Sequence, residues 1–469
     1  MRKVIQYLSF GEIKNELLIA LLLTPALVFI PLTDFTFLPV IILIISLLFF
    51  YKERFLIAYA IITLLTVTTT ISPSVRTFIQ VSDTLLLGFF FLKNYGLNFK
   101  IYPKVPAGLL VFLICLLGLM LLSSVNSNFN LGIIQALRLS LFLVIVYLLY
   151  SLASLGKNNY KLIIKSFYII AVVYGSYLIY DFAGSDFNIL QYNLKQVAVQ
   201  GNEYLSKNFM GSFFSIIITL SVSYLFFFKK PSVKYYLSGI IILSVLSLII
   251  LNSRTSILTS IIGLFYVAYV FNKKLIKWIL SSLAACTLLL LTEPVYQLFE
   301  IYFRLERIST GRDAILLSAL NVIKENWFLG AGPAGTKYEF YKNLPFMLGS
   351  PVEQFIRFHY NEIEFGHAHN FYLFFFSDLG IFGFILSLLF PVLFFRYGNK
   401  ALKKTVKNSF EYSTTVGILA SGLCLFIRGI FEWGGLISYG TINYDLPFWL
   451  LFIILIGFYM HNEKDYQAQ

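Results

Sequence analysis

The chain passes from its longest polar segment into an apolar helix at residues 367–383, which read HAHNFYLFFFSDLGIFG. His367, His369 and Asn370 stand directly before the run of aromatic and aliphatic residues. An ionisable side chain at a membrane boundary is costly unless it has a partner or a task, so such a group is a functional candidate. The stretch therefore predicts both the start of a spanning helix and a candidate site beside it.

The composition of the whole chain is that of an integral membrane protein. Of its 469 residues, 58% are hydrophobic and 13% are charged, whereas soluble domains average about 25% charged residues. Apolar runs of roughly 17–25 residues mark spanning helices. The sequence predicts an all-α polytopic membrane protein with about fourteen transmembrane helices, within a range of 12–14. The predicted spans lie near residues 16–32, 35–51, 55–72, 77–92, 106–123, 131–153, 162–181, 208–228, 235–251, 254–272, 275–294, 370–395, 411–431 and 443–460.

The basic residues are distributed as a membrane topology requires, which argues against nucleic acid as the partner of a chain with a net charge of +13. With the N-terminus inside, every short loop assigned to the cytoplasm is basic, in agreement with the positive-inside rule. The predicted organisation is spans 1–11 at residues 1–294, a large extracytoplasmic loop at 295–369, spans 12–14 at 370–460 and a cytoplasmic tail at 461–469.

Arginine is concentrated on the predicted outer face. The inside set holds 20 Lys and 3 Arg, whereas the outside set holds 5 Lys and 8 Arg. Lysine suffices as a topology charge, while the planar guanidinium of arginine can bind a phosphate through two parallel hydrogen bonds. The bias predicts an anionic, phosphate-bearing ligand on the outside, with scattered loop charge as the alternative interpretation.

A short amphipathic helix is predicted inside the large loop, at about 311–326. Leu316, Leu320 and Ile323 share one of its faces. Arg312 would occupy the first turn, beside free backbone N–H groups and the positive end of the helix dipole, which together form an anion site. The alternative for this arginine is a solvated residue at a helix start.

Two residues are the main candidates for chemistry. His369 could accept a proton from an attacking hydroxyl as a neutral imidazole; the alternative is a structural histidine at an interface. Arg254 lies where the ninth predicted span ends and the tenth begins on the outer face. Its alternative is an arginine that snorkels to the membrane surface.

Several ionisable residues fall in the outer halves of predicted spans. Arg138 is interpreted either as a third phosphate contact or as a partner of Asp83. Arg428 and Glu432 are four residues apart, a spacing that permits an ion pair within a helix. Asp378 lies in the span that follows His369, and the sequence assigns it no partner.

A divalent metal site is a further alternative, because nitrogen and oxygen ligands are dense at the end of the large loop. No HExxH spacing and no DxD pair occurs in the chain, so the sequence favours a site without metal. The residues that would supply ligands are His359, Glu362, Glu364, His367 and His369.

Four short motifs follow one another in the chain. They are Ser253-Arg254-Thr255, Gly311-Arg312, Gly330-Ala-Gly332-Pro333, and His369-Asn370 separated by nine residues from Gly380-Ile-Phe-Gly383. Together they resemble the signature shared by O-antigen ligases and the related O-antigen and capsule polymerases. The resemblance covers roughly residues 200–395.

The resemblance implies a metal-independent, inverting glycosyltransferase of the GT-C type, without a cofactor, in the bacterial cytoplasmic membrane. Both termini would be cytoplasmic and the active site extracytoplasmic. The donor would be an undecaprenyl-diphosphate-linked glycan, the acceptor a glycan or a lipid-linked molecule, and membrane lipids would surround the protein. By this resemblance His369 would be the general base, and Arg254 and Arg312 would bind the donor diphosphate. The supporting residues would be His367, Asn370 and Arg138.

Three functions remain open at this point. Fourteen predicted spans exceed the twelve usual for ligases, which favours a polymerase; the alternative is a ligase that transfers the polymer to lipid A core or another terminal acceptor. A flippase or transporter is less favoured, because those proteins often have internal repeats and polar residues at the bilayer midplane, and neither is visible here. A non-enzymatic assembly scaffold would leave the histidine replaceable.

Overall fold

The computed structural model is helical, with no strand, over the residues that it describes. Those residues are 57, 60, 61, 63–65, 73–126, 129–188, 192, 207–293, 295–297, 300, 312–343 and 368–460. The predicted spans at 16–32 and 35–51, most of the span at 55–72, and His367 lie outside them.

Thirteen α-helices have described bounds. The described chain also contains two 3₁₀ turns, at Phe99–Ile101 and Ser124–Asn126. The helices are α1 Pro73–Tyr95, α2 Ala107–Ser123, α3 Phe129–Ala153, α4 Lys157–Ala183, α5 Lys207–Phe227, α6 Pro231–Ile250, α7 Arg254–Phe271, α8 Lys274–Leu289, α9 Arg312–Glu325, α10 Thr336–Lys342, α11 Phe371–Lys404, α12 Phe410–Arg428 and α13 Ile442–Met460.

Eight of these helices, α2 to α7 together with α11 and α12, are long and apolar enough to cross a membrane. They coincide with eight of the predicted spans. Helices α1, α8 and α13 coincide with three more predicted segments but do not satisfy both conditions over their described residues. The total of fourteen spans stays a prediction, as does the extracytoplasmic position of the large loop.

Helices α5, α7 and α12 pack closely through small side chains and hydroxyl groups. Thr219 and Ser421 are hydrogen-bonded through their hydroxyl oxygens at 2.7 Å, and the Cys424 thiol donates to the carbonyl of Thr259 at 3.0 Å. A methyl group at Gly263 would overlap the Cys424 sulfur. Small residues allow helix backbones to approach one another in a membrane. These contacts bring the start of α7 beside the end of α12.

Helix α11 is interrupted at Gly380, which has φ 66° and ψ −161°. Only glycine adopts this backbone conformation readily. Because the helical ladder is broken there, the N–H of Ile381 donates instead to the carbonyl of Trp327, at 2.9 Å. A methyl group at Gly380 would overlap the Phe328 carbonyl. The segment that follows α9 therefore contacts the backbone of α11 directly at the interruption.

Helix α9 confirms the helix that the sequence predicts at about 311–326, and it packs against α11. Its apolar residues are divided between two faces. Leu316 and Leu320 are exposed, whereas Ile323 is buried. Small residues at 318 and 319 let the packed face approach α11. The buried side chains are Ile315, Ser318, Ala319, Val322 and Ile323.

We expect Gly380→Ala to destabilise the folded protein by more than about 2 kcal/mol, because strain at a glycine-only conformation costs about 1–3 kcal/mol and the methyl group also overlaps a backbone carbonyl. The measurement is thermal unfolding of the purified protein in detergent. Gly118→Ala is the matched control, since Gly118 lies in α2 with no atom within 4 Å of an added methyl group. Equal melting temperatures for the two variants would contradict the interpretation of the interruption.

Candidate functional site

The connection between α12 and α13, residues 429–441, supports the candidate site. A buried carboxylate at the start of α13 fixes its shape. Asp445 accepts hydrogen bonds from the N–H of Gly435 at 3.2 Å, from the N–H of Ser438 at 2.6 Å and from the Ser438 hydroxyl at 2.9 Å. A buried charge is tolerated only when it is well hydrogen-bonded, and these bonds meet that requirement. The 429–441 connection is therefore held in a defined conformation by these hydrogen bonds.

Asn370 attaches the start of α11 to this connection. Its side-chain oxygen caps the helix by accepting from the N–H groups of Tyr372 and Leu373, at 2.9 and 3.0 Å. Its amide nitrogen donates to the carbonyl of Ile430 at 2.9 Å. Asparagine is a preferred N-cap because it satisfies otherwise unpaired N–H groups. Asn370 thus fixes the backbone that directly follows His369.

His369 has a positive φ of 44°, and its imidazole faces a carboxylate of the connection. Nδ1 lies 3.5 Å from Oε2 of Glu432, and the side chains of His369 and Glu432 are 23% and 3% exposed. This separation is at the outer limit of a hydrogen bond; catalytic hydrogen bonds are often long without substrate and shorten in its complex. Nε2 is on the opposite side of the ring. The imidazole therefore has one nitrogen near a buried carboxylate and the other directed away from it.

Glu432 keeps the i, i+4 backbone relation to Arg428 that the sequence indicates. Helix α12 ends at Arg428, and in the turn that follows it the N–H of Glu432 donates to the carbonyl of Arg428 at 2.9 Å. The Arg428 guanidinium donates through Nη1 to the carbonyl of Gly434 at 3.3 Å. The turn after α12 also places the Glu432 carboxylate beside His369. The spacing of residues along the sequence does not predict this contact.

Arg254 lies at the same end of the helix bundle as His369. It is the half-buried first residue of α7, and α7 runs antiparallel to α12. The Phe271 and Tyr412 rings, 5.8 Å apart, mark the opposite end of this helix pair. Thr259 and Gly263 of α7 both contact Cys424 of α12. These contacts set the register of the two helices and place Arg254 level with Arg428.

Arg138 also belongs to the surroundings of the 429–441 connection. Its guanidinium donates through Nη2 to the Thr441 hydroxyl at 3.1 Å, and a methyl group at Gly440 would lie 2.7 Å from the Arg138 carbonyl oxygen. Asp83, proposed as its partner, accepts a hydrogen bond from the Thr63 hydroxyl at 2.6 Å. Arg138 is an exposed residue that contacts the end of the connection.

Asp378 joins three parts of the chain. Its buried carboxylate accepts from the N–H of Ala334 at 2.9 Å, from the N–H of Thr336 at 3.1 Å and from the Thr336 hydroxyl. A further donor is the Tyr439 hydroxyl of the 429–441 connection, at 3.0 Å. Burial and the nearby carboxylate raise the pKa of Tyr439 well above its ordinary value, so the phenol remains a donor. The turn between α9 and α10 and the 429–441 connection are thereby tied to α11.

Two predicted site residues cannot be compared with this geometry. The backbone of Arg312 begins α9, but its side chain and the whole of His367 lie outside the described residues. The same is true of the other proposed metal ligands, His359, Glu362 and Glu364. Among the residues that the structure describes, no group of three or more His, Cys, Asp or Glu side chains is arranged to hold a metal ion.

The site residues that the sequence does not identify are carboxylates and their donors. Glu432 is 63 residues from His369, and Asp378 is separated from its donors by 42 to 61 residues. No spacing rule relates positions so far apart. The only sequence signal is that an acidic residue at membrane depth requires a partner.

Residues 239–388 match the model of the O-antigen ligase family. This match supports assignment to the O-antigen ligase and polymerase family. Membership of this family suggests a glycosyltransferase-like enzyme that acts on lipid-linked glycans. The match includes the motif regions around Arg254, Arg312, His369 and Gly380, whereas Glu432 lies beyond it. No curated protein matches the chain.

Replacement of Asn370 tests how the start of α11 is held. We expect Asn370→Ala to lower the free energy of unfolding by about 1–3 kcal/mol, because it removes a helix cap and the donor to Ile430. Asn370→Asp retains the cap acceptor and loses only that donor, so its melting temperature should lie between those of the other two proteins. Thermal unfolding of the three proteins in one detergent gives the order. Asn370→Ala as stable as the unsubstituted protein would contradict this assignment.

Proposed function

We propose that this O-antigen ligase and polymerase family protein transfers a glycan from an undecaprenyl-diphosphate carrier to an acceptor hydroxyl during surface polysaccharide biosynthesis, and that it acts as a polymerase. The observation that carries the proposal is the imidazole of His369 beside the buried Glu432 carboxylate. Both lie at the end of the bundle where the first arginine of the matched family region, Arg254, begins α7. The reaction takes place at the outer face of the bacterial cytoplasmic membrane.

The reaction is a single displacement at the anomeric carbon of the donor sugar. Nε2 of His369 accepts the proton of the acceptor hydroxyl while the acceptor oxygen attacks the anomeric carbon. The bond between that carbon and the diphosphate oxygen breaks, and the bond electrons leave with undecaprenyl diphosphate. Attack from the side opposite the leaving group inverts the anomeric configuration. The donor is already activated, so alignment and charge stabilisation supply most of the acceleration.

Glu432 fits the role of a positioning residue for the base. When Nδ1 of His369 carries the proton, it faces the carboxylate, and the lone pair of Nε2 is available to the acceptor. The carboxylate also stabilises the imidazolium that forms when the proton is transferred. The buried position of Glu432, 3% exposed, strengthens this interaction because screening by water is weak there.

Arg254 and Arg312 fit the donor diphosphate. A guanidinium binds phosphate oxygens through paired, charge-assisted hydrogen bonds, and negative charge grows on the leaving diphosphate as the glycosidic bond breaks. The start of α9, where Arg312 stands, adds free N–H groups and the positive end of a helix dipole. These residues provide the stabilisation of the leaving group without a metal ion in the proposed reaction.

A ligase is the second candidate, and the description of the matched family as O-antigen ligase favours it. The two functions differ in the acceptor, which is another carrier-linked glycan for a polymerase and lipid A core or another terminal acceptor for a ligase. The lipid-linked products of a deletion strain distinguish them. Accumulated single repeat units indicate the loss of a polymerase, and long polymer on the carrier indicates the loss of a ligase.

His369→Ala, Arg254→Ala and Arg312→Ala should each abolish glycan transfer in the complemented deletion strain. The loss of a general base lowers a rate by about 10²–10⁴-fold, and removal of a leaving-group contact has a comparable effect. Product analysis is paired with immunoblots of the membrane fraction. Arg396→Ala, an exposed arginine near the other end of α11, is the control and should retain activity. Normal product from any two of the three site variants would refute the proposal.

Glu432→Gln should lower kcat by about 10–100-fold, less than the full contribution of a general base, and leave the donor KM unchanged. The physical reason is that an amide neither fixes the tautomer of His369 nor stabilises its charged form. Steady-state kinetics with purified protein and a lipid-diphosphate donor separate kcat from KM. Glu411→Gln, at the other end of α12, controls for the loss of one carboxylate, and Glu432→Asp should recover part of kcat. An unchanged kcat in Glu432→Gln would remove Glu432 from the mechanism.

A further inference from the structure

Helix α9 has an apolar face that the rest of the described chain does not cover. One side packs on α11 through the buried residues given above. Leu316, Leu317 and Leu320 are 41%, 50% and 38% exposed and lie together on the neighbouring side, since residues three and four apart share a helix face. We refer to these three leucines as the open face. In water, a contiguous surface of this kind would be unfavourable.

The third side of α9 is polar and is bonded to the segment after α10. The Asn321 amide donates to the carbonyl of Asn343 at 3.4 Å, and the Asn343 amide donates to the Glu325 carboxylate, also at 3.4 Å. The helix is therefore held by protein on two sides. Its rotation about its own axis is fixed, and the open face points away from both contacts.

An aromatic cluster extends from the end of α9 to the surface of α11. Trp327 and Phe328 follow α9 directly and are exposed. Their ring centroids are 5.4 Å apart, and the Phe328 ring is 5.4 Å from the ring of Phe382. Phe382 is an exposed residue of α11, two positions after the interruption at Gly380. The apolar surface therefore continues from one helix to the other.

The surface of α11 beyond Phe382 is suited to lipid. Helix α11 is one of the apolar helices long enough to cross a membrane, and its exposed side chains follow one another along the same helix. Tryptophan and tyrosine concentrate at the boundary between hydrocarbon and headgroups, and Trp327 stands where the apolar stripe begins. The stripe consists of Phe382, Ile385, Leu388, Leu389 and Val392.

We propose that α9 is an interfacial helix whose open face is seated among the acyl chains of membrane phospholipids, at the edge of the hydrocarbon layer. Continuity with the lipid-facing stripe of α11 identifies the occupant. The exposed Lys324, one turn after Leu320, extends from this depth to the headgroups, as long basic side chains do. Insertion of the open face fixes the depth in the membrane of the helix that begins at Arg312. The proposal rests on the packing of α9 and is independent of the proposed glycan transfer.

Spin labels on α9 test the proposal in the full-length protein reconstituted into phospholipid nanodiscs. The three native cysteines are first replaced by serine, which keeps a donor at position 424 for Thr259. Single labels are then attached at Leu316→Cys, Leu317→Cys and Leu320→Cys. Glu325→Cys on the polar side of the same helix is the control, and Leu389→Cys on α11 is the lipid reference. Power saturation compares collision with oxygen, which concentrates in hydrocarbon, and with a water-soluble nickel chelate.

We expect the ratio of oxygen to nickel accessibility to be several-fold higher at the three open-face positions than at Glu325→Cys, and to approach the ratio at Leu389→Cys. The labelled side chains are already exposed, so at least two of the three variants should fold. A nickel preference at these positions like that of the control would show that the face meets water, and would overturn the proposal. Protection from both reagents would overturn it as well, because another part of the protein would then cover the face.

Discussion

The arrangement of the candidate site depends on the buried carboxylate of Asp378. Four donors from two separate segments converge on it: two N–H groups and a hydroxyl from the turn before α10, and the phenol of Tyr439 from the 429–441 connection. A carboxylate removed from water is stable only when its lone pairs are satisfied. Because no single segment provides enough donors, the requirement holds the segments together. The turn between α9 and α10 and the connection that carries Glu432 therefore keep fixed positions relative to α11.

This constraint gives a physical reason for Gly330, Asn370 and Gly380 in the motifs described above. Gly380 permits the interruption of α11, which exposes backbone groups to the turn that follows α9. Gly330, in that turn, approaches α11 so closely that a methyl group would overlap the backbone of Asp378. Asn370 caps the helix and also bonds to the connection. Most of the motif builds a rigid support, and His369 is the member with a ring nitrogen directed away from that support.

The geometry also relates the chemistry to the membrane. In the proposed reaction the substrate is attached to a polyprenyl diphosphate and can move along the bilayer but not away from it, so the arginines proposed to bind its phosphates must be held at a defined depth. The arginine helices supply this in different ways. Helix α7 is a candidate membrane span that begins at Arg254, whereas α9 begins at Arg312 and packs on the interrupted part of α11. Charge stabilisation then depends on positions that are set before the substrate arrives.

The sequence alone predicted eight spans that the structure contains, the helix after Arg312 and the similarity of residues 239–388 to the O-antigen ligase family. Hydropathy, helical periodicity and short motifs are properties of neighbouring residues, and eight spans and the helix at 312–325 match the structure.

Only the tertiary structure decided which residues meet. It brought His369 beside Glu432 and joined Arg138 to Thr441. It also selected the packed face of α9. These contacts depend on where α12 ends, how α7 and α12 align and where α11 is interrupted. Each of these features is set by packing and hydrogen bonding among distant segments. A pattern of neighbouring residues therefore cannot predict them.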